Sequence, residues 1–70
     1  MEQIIYIKLL EEGTDVYRPV KALKVEEGKF KILDTQPEDE LWEFEAGELV
    51  LCDYKKLEGE MLLVAMKKVN

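Results

Sequence analysis

Apolar and polar residues alternate in short runs along this chain, and nearly every run stops at a turn signal. IIYIKLL, Ile4 to Leu10, is the first. On a strand, Ile5, Ile7 and Leu9 share one face, and Tyr6, Lys8 and Leu10 share the other. EEGTD then turns the chain. VYRPVKALKV, Val16 to Val25, predicts a second and longer strand with Val16, Val20 and Ala22 on one face. Pro19 lies within it. Proline cannot donate a ladder hydrogen bond, so it marks an edge, a bulge or a strand start. After the turn at EEGK comes GKFKILD, with Phe30 and Ile32 in register and Lys29 and Lys31 opposite.

The polar turn TQPEDE, Thr35 to Glu40, contains Pro37, which also restrains Gln36. LWEF places Trp42 and Phe44 on one face, with Glu43 and Glu45 as the solvent face of a strand. LVLCDYKKL, Leu49 to Leu57, predicts a strand with Val50, Cys52 and Tyr54 together. EGE is a tight turn, and MLLVAMKKV follows. Its Met, Leu and Ala residues are good helix formers. The run is nevertheless too short for a stable free helix and begins just after Gly59, so strand is the better expectation. Turn signals recur roughly every ten residues, which points to an all-β meander or small barrel rather than βαβ units. Curling five or six short strands into a barrel also hides edges that would otherwise pair with other chains.

Length sharpens this picture. Seventy residues form one domain, 1–70. A chain of this size buries only about 60% of the surface its unfolded form exposes, so the core is shallow and a large enclosed pocket is not expected. Cys52 stands alone, which excludes an intrachain disulfide and a cysteine zinc cluster. That usage fits a cytoplasmic setting. The apolar runs resemble neither a targeting peptide nor a membrane span. Sixteen acids against ten bases leave a net charge of −6. That balance opposes non-specific binding to nucleic acid and to anionic membranes, and it favours a basic protein or peptide as partner.

Candidate chemistry is sparse. In EEGTDVYRPV, Gly13, Thr14 and Asp15 build a corner, and Arg18 has a fork of donors that suits a carboxylate. Asp15, Tyr17 and Arg18 are therefore either an internally paired corner or the rim of a recognition surface. From Asp34 to Glu48 there are seven acids and no base, without the spacing of a calcium loop. This is either a solvated face or a docking surface. Trp42 is core, or else it lines a shallow groove edged by Glu43 and Glu45 that would take a Lys- or Arg-bearing peptide. The absence of histidine removes the commonest neutral-pH base, and no glycine-rich phosphate loop is present. An enzyme is not expected, nor are a cofactor or a metal. Lys21, Lys24, Lys29 and Lys31 could form a local basic strip for nucleic acid, but Glu26 and Glu27 interrupt it. Oligomeric state is left open.

The order GTDVYRPV, GKFKI, LWEFEAGELV, LEGEMLLVA resembles a set of small bacterial proteins with a G-T-D-V-aromatic-R-P-V opening, a W-E-F stretch and a glycine turn. The match runs from Ile5 to about Ala65, carried by Gly13, Thr14, Asp15, Arg18, Pro19, Trp42, Phe44 and Gly47. That family shows a second proline where this chain has Glu45 and Ala46, which implies a looser turn here. The resemblance implies a small SH3-like barrel of five or six short, mostly antiparallel strands, and no activity. The function expected is non-catalytic protein binding or an accessory role, with a nucleic-acid-associated barrel as the alternative.

Overall fold

Alternation decides the architecture. In a computed structural model describing residues 1–69, five strands form a closed barrel: β1 (Glu2–Lys8), β2 (Tyr17–Glu26), β3 (Lys29–Ile32), β4 (Leu49–Leu57) and β5 (Glu60–Lys68). Neighbours in sequence pair antiparallel, and one parallel contact between β1 and β5 closes the ring. Every second side chain points inward. Ile5 and Ile7 of β1, Val20 and Ala22 of β2, Phe30 and Ile32 of β3, Val50 of β4 and Ala65 of β5 form the core. The run after Gly59 is strand β5, not a helix.

Pro19 sits inside the β1–β2 ladder, opposite Tyr6. Leu9 N–H donates to Val16 O at 2.8 Å, so the hydrogen-bonded pairs of this ladder are the odd residues of β1. The pair Tyr6–Pro19 is therefore non-hydrogen-bonded, and the Pro19 nitrogen faces away from β1. On that side β3 has not yet begun, since its pairing with β2 starts at Ala22. The missing donor falls on an open edge, where it costs no bond.

Leu41–Phe44 is not a strand. It contributes one isolated bridge, Leu9–Trp42. Two bonds hold it to the end of β1: Leu10 N–H to Leu41 O at 2.7 Å and Glu43 N–H to Lys8 O at 3.0 Å. Trp42 N–H faces away from β1 in this bridge and donates to the Gln36 side chain at 2.9 Å. The alternation survives without the strand: Trp42 and Phe44 are buried while Glu43 and Glu45 are exposed.

The β4–β5 hairpin outruns the barrel. β3 pairs with β4 only at Leu49–Leu51, and β1 meets β5 only at Val64. At its tip Glu58 and Gly59 have φ of 49° and 86°, the left-handed pair of a two-residue type I′ turn. Tyr54 lies on the same face as Val50 and Cys52, as alternation requires. It is nonetheless 63% exposed, because no core remains at that level to cover it. Met61, on the same face of β5 as core-packed Leu63, is 60% exposed for the same reason.

Candidate functional site

Among the described residues, Asp15, Tyr17, Arg18, Trp42 and Glu43 divide among three surface hollows. Arg18 forms a fork with Glu40: Nε donates to Oε1 at 3.2 Å, and Nη2 pairs with Oε2. The Trp42 indole N–H donates to the same Oε1 at 2.9 Å. Arg18, Glu40 and Trp42 thus form one unit lining an open hollow beside Pro37. The bonds from Arg18 and then Trp42 hold the Glu40 carboxyl below its usual range, and Glu40 raises the Arg18 guanidinium above its own. Trp42 is only 6% exposed, so its ring is committed to the barrel and leaves little face for a partner. Glu45 lies apart, with its N–H bound to Glu48 Oε1 at 2.7 Å.

The acidic stretch turns out to be partly scaffold. The 33–48 connection has no strand of its own, and carboxylates supply the bonds a ladder would have made. Asp34 Oδ2 accepts from Lys21 N–H at 2.8 Å, Glu40 takes Arg18 and Trp42, and Glu48 takes Glu45 N–H and the Lys68 ammonium at 2.9 Å. The backbone bond from Glu45, then Lys68, lower the Glu48 pKa. Glu38, Asp39, Glu43 and Glu45 remain exposed. Among the described residues no three acid, cysteine or histidine side chains converge as metal ligands would.

Tyr17 and Asp15 belong to a different region. From β2 the Tyr17 side chain reaches across to β4, where its hydroxyl accepts from Lys55 Nζ at 3.1 Å and the ammonium lies 5.6 Å from the ring centre. The Tyr17 hydroxyl raises the Lys55 pKa. Between them they border a hollow that includes Lys8, Glu43 and Val64, and this covers Val64 on the outside of the barrel. Asp15 pairs with Lys8 at 3.4 Å.

Next to this lies an open groove of about 530 Å³ between residues 14–17 and the tip of the β4–β5 hairpin. Tyr6, Tyr17, Leu57 and Leu62 give it an apolar lining. Asp15, Glu58 and Glu60 give it acid, against a single base, Lys56. The sequence marks Asp15 and Tyr17 as a recognition rim and Tyr6 as a residue that could line a groove, but it places Tyr6 beside Trp42 and does not bring Leu62, Glu58 and Glu60 to them. The outward position of Tyr6 on β1 and the length of the EGE hairpin were the available signals.

The lysine strip is interrupted. Lys24 bonds Glu27 and Lys29 bonds Glu26, each at 3.2 Å, leaving Lys21 and Lys31 on the outer face. Cys52 is half-buried against the core, and burial pushes its thiol up to about 11, so it stays protonated at neutral pH. Among the described residues no helix is long and apolar enough to cross a membrane. The chain matches no family model, no curated protein and no solved structure. The likeness to the small bacterial proteins therefore rests on the residues quoted for it.

Proposed function

We propose that this protein is a non-catalytic binding module for another protein, and that the groove between residues 14–17 and the β4–β5 hairpin is its binding face. One observation carries the reading. The groove brings two tyrosines and two leucines to the surface beside three carboxylates, while Phe30, Trp42 and Phe44 are buried in the barrel. Aromatic side chains supply large contact area at low entropic cost, and rim charges select the partner. The net charge of −6 would steer a basic partner toward it.

A photo-crosslinking amino acid placed at Lys56, on the groove, is the test, with Lys31 on β3 as the control position. In cells, the Lys56 position is expected to give a discrete protein adduct that Lys31 does not. Equal labelling from both positions, or none from Lys56, overturns the assignment.

A further inference from the structure

The groove coincides with the one place where the barrel is barely closed. β1 and β5 run parallel and pair at a single position, Tyr6–Val64. Above it, the free side of β1 is taken: Lys8 O and Leu10 N–H bind the 41–43 segment. Below it, the ladder stops, and neither Ile4 nor Leu62 is paired across the seam. Which backbone groups face this gap follows from the hairpin. Leu57–Glu60 closes the two-residue turn, so Leu57–Glu60, Lys55–Leu62 and Asp53–Val64 are the hydrogen-bonded pairs with β4. The peptide groups of Met61 and Leu63 therefore point the other way, into the seam, where the Leu63 carbonyl takes the Tyr6 N–H of the single bridge and the Met61 N–H, the Met61 carbonyl and the Leu63 N–H stay open. This is a short open strand edge, a template for an added strand.

Resting on the binding reading above, we infer that the partner is an extended segment that adds to the β5 edge at Met61–Leu63 and alternates basic with apolar residues. The alternation follows from the two faces of β5. On the outer face an added strand meets Glu60, Leu62 and the Glu58 and Asp15 carboxylates of the groove. On the inner face it meets Met61 and Tyr54, exposed at the end of the barrel, and the flank of Leu63. Lysine or arginine on the first face and aliphatic side chains on the second satisfy both. The complementarity is electrostatic as well as steric, since neither Glu58 nor Glu60 has an ion-pair partner among the described residues.

The experiment is selection from a displayed library of random dodecapeptides on the intact protein, followed by amide hydrogen exchange with the best binder. Enriched peptides are expected to alternate Lys or Arg with Val, Ile or Leu. Their binding should slow exchange at Met61 and Leu63. It should weaken roughly tenfold in a Glu58→Gln/Glu60→Gln variant whose melting temperature is unchanged. Peptides lacking basic residues, or leaving Met61 and Leu63 exchange unaltered, overturn strand addition while the binding module stands. A library that yields no binder, together with no crosslink from Lys56, overturns both.

Discussion

Replacing Trp42 by alanine separates its two roles, wedge or recognition surface. The side chain is 6% exposed, touches the core cluster and donates its indole N–H to Glu40. Truncation of a buried tryptophan costs about 3–5 kcal/mol, part transfer and part cavity. A domain of 70 residues has a total stability of only about 4–10 kcal/mol. Trp42→Ala therefore removes between a third and all of it. Trp42→Phe keeps most of the apolar area and loses the indole bond and some volume, for about 1–2 kcal/mol. Circular dichroism in urea measures both, since the only tryptophan is the residue removed. The midpoint should fall in the order wild type, Phe, Ala, with an unchanged slope for Phe. A loss below 1 kcal/mol for Trp42→Ala would refute the wedge and return Trp42 to the surface as a binding aromatic.

Further outcomes follow from the same contacts. The Glu40 and Glu48 carboxyls are held below the ordinary 4.5 in the folded chain, so the unfolded chain binds more protons there. Stability should be intact above that value and decline as pH falls through the folded values. Glu40→Gln and Glu48→Gln should flatten the decline in pH-dependent urea melts. Asp34→Ala leaves Lys21 N–H without its carboxylate and should cost about 1 kcal/mol in the same assay. Cys52 ionises near 11 rather than 9.0, so thiol labelling at pH 8 should run roughly hundredfold slower than for free cysteine until the chain unfolds. A fast native rate would show an exposed thiolate instead. Gly59→Ala forces a Cβ onto φ 86° and should lower stability by about 1 kcal/mol in thermal melts, with no change in core packing.

The barrel wall was legible because its physics is local. Ile5 and Ile7 flank Tyr6, Val20 and Ala22 flank Lys21, and Phe30 and Ile32 flank Lys31, and all six point inward. The 33–48 connection was not, because what orders it is non-local. Nothing near Glu40 in sequence announces Arg18 as its partner, and nothing near Glu48 announces Lys68. The run of acids therefore looked like one surface, when three of its members hold the loop in place. Tyr54 shows the opposite limit. Its face was legible from alternation, but its exposure depends on where β3 and β1 stop covering the hairpin, and the period of a strand carries no information about its neighbours' lengths. Tyr17 and Asp15 were singled out for the company of Arg18, yet they join Tyr6 and the hairpin tip, because adjacent residues on β2 face opposite sides.

The seam has a kinetic side. Its single pair joins residue 6 to residue 64, nearly the whole length of the chain. Every other strand pairing links neighbours in sequence, so β1–β2, β2–β3 and β4–β5 can assemble as hairpins with little loop-closure entropy to overcome. Ring closure alone must bring the two extremes together, and it does so for one pair of residues. This topology predicts a folding transition state that is an open, curled sheet with the hairpins formed and the seam unmade. The Tyr6–Val64 coupling across the seam, isolated in a double-mutant cycle, should show a φ-value near zero, so its loss should speed unfolding while leaving the folding rate almost untouched.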